Sequence, residues 1–92
     1  MQTAAKALVS YSERLSIARR VVGITKKDYT AWKRPRWLVI KRAIIYSYLY
    51  DVWSMSYREI AYISNRDHKA IQYCVRKYRY LYEEIKDRFD AD

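Results

Sequence analysis

The sequence predicts an all-helical protein. Apolar residues recur at spacings of three and four along most of the chain, the pattern of helix faces. A single glycine, Gly23, and a single proline, Pro35, supply too little turn chemistry for a β protein. Capping-box patterns at Thr25–Asp28 and Ser56–Glu59 mark two helix starts. The 92 residues are expected to form one domain, 1–92. A chain this short buries only about 60% of its unfolded surface. Eleven Tyr and three Trp compensate, since each aromatic ring buries roughly 150–250 Å².

In the first segment Leu8, Tyr11, Leu15, Ala18 and Val22 share one helical face. Glu13, Arg14, Arg19 and Arg20 fall elsewhere, and Gly23 is placed to stop the helix. Thr25 then opens a short helix through Tyr29 towards Trp32. Pro35 disfavours helical geometry at Arg34, so Lys33-Arg34-Pro35-Arg36 reads as a basic loop or helix start. Such a loop can hold phosphates or place an arginine in a minor groove, or it is a solvated connector.

From Trp37 to about Trp53 the chain reads as a central apolar helix. Leu38, Ile45, Leu49 and Val52 line one face, with Ile44 and Tyr48 beside them. Its tyrosines fit a core role better than a stacking platform for single strands. Ser56 begins a short helix, with Met55 and Ile60 at hydrophobic-staple positions, and Ser64-Asn65 reads as a turn. In the last helix Ile71, Cys74, Val75, Tyr78, Tyr82, Ile85 and Phe89 form one continuous stripe. Gln72, Arg76, Lys77, Arg79 and Tyr80 lie off it, and the last residues should fray.

The net charge of +9 is concentrated. Residues 33–79 hold eleven basic and three acidic groups, whereas residues 80–92 hold two basic and five acidic. A clustered basic field ending in an acidic segment (83–92) suggests a polyanionic partner. No apolar run approaches the ~18 residues needed to span a bilayer. The N-terminus lacks a basic region followed by an apolar one, and one cysteine forms no internal disulfide, so a cytoplasmic, nucleoid-associated protein is expected.

Enzymatic chemistry is not expected. His68 and Cys74 stand six residues apart on one helix, hence roughly 240° apart around its axis, and cannot form a dyad. No His or Cys set has metal spacing, and one glycine cannot build a phosphate loop, so neither metal nor cofactor is expected.

The stretch Ser56 to Tyr78 reads instead as helix, tight turn and reading helix, with 56–82 as the helix-turn-helix and 66–80 as its recognition helix. Arg66, Asp67, His68 and Lys69 open that helix, where side chains reach base edges or phosphates. Asp67 is open to a second role, capping the helix and favouring its dipole. The residues expected at double-stranded DNA are Arg34, Arg36, Lys41, Arg42 and Arg58, then Arg66, Asp67, His68, Lys69, Gln72 and Arg76.

Residues 33 to about 82 resemble the C-terminal DNA-binding domain of the bacterial replication initiator DnaA. The resemblance is carried by Ser56, Glu59, Ile60, Arg66, Asp67, His68, Arg76 and Lys77, with Lys33-Arg34-Pro35-Arg36 and Arg42 upstream. Gly23-Ile24-Thr25 through Tyr29 also looks like that family's link between its first two helices. The resemblance implies a Trp-repressor-like helical bundle containing a helix-turn-helix. It implies Arg66, Asp67 and His68 in the major groove, an arginine of the basic loop in the minor groove, and Arg42 on a phosphate. The chain departs from the family pattern in three ways. The turn lacks both family glycines and is one residue shorter; Lys69-Ala70 replace Ser/Thr-Thr; no accompanying ATPase domain is expected.

The expectation is therefore a free-standing, sequence-specific DNA-binding module, a small transcriptional regulator of the kind a phage or mobile element carries. A monomer is favoured over a homodimer. The alternatives are an accessory protein acting at a replication origin and, from another class, a protein-interaction adaptor.

Overall fold

The computed structural model describes residues 10–32 and 35–90. Every regular element among them is helical: α1 (Tyr11–Val22), α2 (Lys26–Thr30), α3 (Arg36–Val52), α4 (Tyr57–Ser64), α5 (His68–Ile85) and α6 (Asp87–Asp90). None is long and apolar enough to cross a membrane.

Local chemistry sets most boundaries. Ser10 caps α1 by accepting the Glu13 N–H at 3.2 Å. Gly23 ends α1 in the left-handed region (φ 76°), and its N–H donates to the Arg19 carbonyl at 2.8 Å. Both expected capping boxes form. Thr25 and Asp28 exchange bonds of 3.0 and 3.3 Å, and Ser56 and Glu59 exchange bonds of 3.1 and 2.9 Å. Met55 and Ile60, the staple pair around the second box, are both buried. Leu8, expected on the stripe of α1, lies outside the described residues; Ala18 and Val22 of that stripe are buried and Leu15 is partly so.

The core sits around α3, which packs most extensively on α5 and also meets α1, α2 and α4. Every residue from Arg42 to Leu49 is buried, so α3 is enclosed on all sides rather than along the single expected face. Of the tyrosines of this helix, all expected in the core, Tyr46 and Tyr48 are buried and Tyr50 is exposed.

Two boundaries differ from expectation. The last long helix begins at His68, not Arg66, because Asn65 adopts a left-handed conformation (φ 53°, ψ 48°) and ends α4 there. The apolar stripe towards Phe89 is not one helix either. Helix α5 stops at Ile85, and α6 returns Phe89 to the core after Lys86. The Phe89 ring stacks on Tyr48 with centroids 4.3 Å apart and planes 16° apart. Periodicity alone could not detect this break, since a short turn through Lys86 keeps the same residues inward.

Two buried phenols tie the layers together. Tyr29 of α2 shares a hydrogen bond with the buried Ser64 hydroxyl at the end of α4, and its ring meets Tyr46 edge-on at 6.1 Å. Burial pushes the Tyr46 phenol up to about 12 and raises Tyr29 further. Unfolded tyrosine ionises near 10, so above that pH the unfolded chain has released protons that the folded chain still holds. The contribution of these two phenols is therefore expected to be flat below about pH 10. It should then fall by about 1.4 kcal/mol per pH unit for each of the two phenols as pH approaches the folded values. Urea melts across this range check it, and Tyr46→Phe should make the decline shallower.

Candidate nucleic-acid interface

The polar face of α5 is the candidate surface. Along a helix turning about 100° per residue, Lys69, Gln72, Tyr73, Arg76 and Tyr80 fall within one stripe opposite the core residues Ile71, Val75, Tyr78 and Tyr82. Lys69, Tyr73, Arg76 and Tyr80 are exposed and Gln72 is half-buried. Lys69, Gln72, Tyr73, Arg76 and Lys77 line a shallow groove of about 390 Å³. Lys77 Nζ donates to the Tyr73 hydroxyl at 3.1 Å, which fixes one edge of the groove.

The start of α5 carries no side-chain cap. Asp67 occupies the N-cap position, yet its side chain makes no cap hydrogen bond. Its carboxylate stands 3.4 Å from His68 Nδ1 and is 67% exposed. Of the two roles open to Asp67, the hydrogen-bonded cap is not formed. The positive end of an 18-residue helix is thus left next to an accessible carboxylate and imidazole.

Arg66 departs from its expected place among the readers. It is a turn residue, half-buried, whose Nη2 donates to the Ala31 carbonyl at 2.7 Å. Its guanidinium lies 5.2 Å from the Trp32 ring centroid.

Arg42 requires the clearest correction. The phosphate role implied by the resemblance needs an accessible guanidinium, but Arg42 is only 4% exposed. Its Nε and Nη2 donate to the Asp28 carbonyl at 3.2 and 2.7 Å, and Nη2 also reaches the Ala31 carbonyl at 2.7 Å. Burial, then the neighbouring Arg66 charge, lowers its pKa.

The remaining expected residues are dispersed. Arg36 is exposed at the start of α3 and Arg58 on α4. Lys41 attends the end of α1, its Nζ 3.7 Å from where Gly23 would carry a Cβ and 6.0 Å from the Trp37 centroid. Arg34 lies outside the described residues. The structure therefore gathers Asp67, His68, Lys69, Gln72 and Arg76 on one end and face of α5. It assigns Arg42 and Arg66 to internal bonds.

An acidic boundary closes the surface. Arg79 pairs with Asp51 at 2.7 Å and with Glu83 at 3.5 Å, while Lys86 pairs with Glu83 at 3.0 Å. The basic groove thus ends at about the turn of α5 where compensating carboxylates begin.

Sequence reasoning overlooked Tyr73, Trp32 and Tyr62. Tyr73 was detectable, because it lies between Lys69 and Arg76 on the polar face, where the core cannot receive it. Trp32 and Tyr62, 70% and 85% exposed, gave no comparable signal. A short helix does not define which side of Trp32 faces inward.

Comparison with known proteins adds no relative. No family model matches the chain, and neither the curated proteins nor the solved structures give a match.

The internal bonds of Arg42 lead to a specific expectation. Arg42→Ala removes both guanidinium bonds to the Asp28 carbonyl and leaves the Ala31 carbonyl with Arg66 alone, and should destabilise the fold by roughly 2–3 kcal/mol. Chemical denaturation measures this. Under conditions where the variant is folded, the salt dependence of any polyanion binding should match that of the parent chain; a shallower dependence would restore the phosphate role.

Proposed function

We propose that this chain is a sequence-specific double-stranded DNA-binding protein acting as a small transcriptional regulator. In this reading α4 and α5 are a helix-turn-helix within a Trp-repressor-like bundle, and α5 enters the major groove. The observation that carries the reading is the polar stripe of exposed Lys69 and Arg76 with half-buried Gln72, continuing from an uncapped Asp67-His68 end. A buried-core explanation does not apply to this face, and its residue types match groove chemistry. Gln pairs bidentately with adenine, Asp accepts from the cytosine amino group, and Lys and Arg serve guanine or phosphate.

The resemblance to the DnaA DNA-binding domain supports the same placement of Asp67 and His68. Arg36 and Arg58 then serve the phosphate backbone, with Arg34 of the basic loop near the minor groove. Lys69-Ala70 in place of Ser/Thr-Thr gives this module its own target sequence. A monomeric, cytoplasmic, nucleoid-associated module of phage or mobile-element type fits this reading.

Selection of bound duplexes from a random library is the direct test, and a single enriched motif is the expected result. Neutralising about five phosphates gives a slope near −4.5 for log affinity against log salt. Gln72→Ala should cost about 1–3 kcal/mol on the selected site and little on random duplex. Arg76→Ala should weaken both alike and reduce the salt slope by about one. A slope near zero would remove duplex binding and leave the adaptor.

A further inference from the structure

Beside the turn between α4 and α5 lies an open cleft that the stripe on α5 does not use. Trp32, from the connection after α2, and Tyr62, on α4, both line it. They are 70% and 85% exposed, the most exposed of the large hydrophobic residues described. The small side chains of Ala61 and Ala70 leave room between the larger groups, and Asn65, Arg66 and Asp67 complete the lining. The cleft measures about 500 Å³, within the range of small-molecule sites.

We propose that this cleft binds an unpaired nucleobase of single-stranded DNA. Each part of the cleft has a use in that task. Trp32 and Tyr62 offer planar faces, and stacking on such rings is the main sequence-tolerant source of single-strand affinity. The Arg66 guanidinium is held 5.2 Å from the Trp32 centroid by its bond to the Ala31 carbonyl, so the platform is braced before a ligand arrives. Asn65 and the exposed Asp67 carboxylate provide acceptors for a base's exocyclic amino group. The cationic Arg66 lines the cleft, on a chain carrying +9 overall, and suits the adjoining phosphates.

An acidic peptide matches the charge less well, because Asp67 would face its carboxylates across the same cleft. An unpaired base carries its negative charge on the backbone and presents an uncharged edge to Asp67. The proposal extends beyond duplex reading and does not require it, since Trp32 and Tyr62 lie off the α5 stripe.

The test is fluorescence anisotropy of a labelled short oligodeoxycytidine and, separately, of a labelled mixed-sequence duplex. Both are titrated with the whole chain and with Trp32→Ala, Trp32→Phe and Tyr62→Ala. Circular dichroism and thermal melts establish that each variant is folded, which the exposure of both residues favours. Trp32→Ala and Tyr62→Ala should each weaken oligodeoxycytidine binding about 10-fold, with Trp32→Phe recovering most of the loss and duplex affinity changing less than about twofold. No single-strand binding by the parent chain, or equal losses on both probes, would overturn the proposal. Single-strand binding that depends on Trp32 in a chain that ignores duplex would uphold it while removing the duplex reading.

Discussion

The carbonyl oxygen of Ala31 receives two guanidinium groups, and the placement of the candidate surface depends on that meeting. Arg42 reaches it from the buried helix α3 and Arg66 from the turn before α5, each at 2.7 Å. Three segments distant in sequence are thereby fixed to one atom. Two cations brought so close repel each other, and burial, then that repulsion, lowers the Arg42 pKa. Hydrogen bonds to the electronegative carbonyls of Asp28 and Ala31 offset part of this cost. The shared Tyr29–Ser64 bond secures the same region from α2 to the end of α4. The turn is thus held from the inside, which allows its outer side to carry exposed groups without losing its shape.

This arrangement also accounts for a turn without glycine. The left-handed residue at the end of α4 is Asn65, one of the few residue types that tolerates that conformation. The Arg66 N–H then returns to the Ala61 carbonyl at 3.0 Å, closing the helix end. The tight turn is therefore closed by Asn65 and by the anchoring of Arg66, without loosening.

Much of the fold was legible because its signals are local. The stop at Gly23, both capping boxes and the inward stripe of α5 each depend on residues within two turns of one another. The enclosure of α3 and the break at Lys86 were not legible, since both depend on what packs from elsewhere in the chain. The same division applies to the candidate site. Lys69, Gln72 and Arg76 could be placed from periodicity along one helix. The inward turn of Arg42 could not, because its partners are main-chain carbonyls, and a carbonyl has no letter in the sequence. An arginine inside an apolar run predicts an unusual partner without saying whether that partner is a phosphate or the protein's own backbone.

Charge and aromatic exposure divide the surface in a way that total charge conceals. Arg79 and Lys86 are matched to Asp51 and Glu83, so the far end of α5 contributes little unbalanced field. The groove around Lys69, Gln72 and Arg76 has Tyr73 within it, and the cleft beside it has Trp32 and Tyr62. A purely electrostatic surface would gain nothing from exposing such rings, since each leaves apolar area in water at about 25 cal/mol per Å². Their position beside cationic groups suits a ligand that is both charged and planar. Nucleic acid combines those properties, whereas an acidic protein surface generally supplies only the first. The exposed rings, more than the net charge, are thus what the proposed nucleic-acid role rests on.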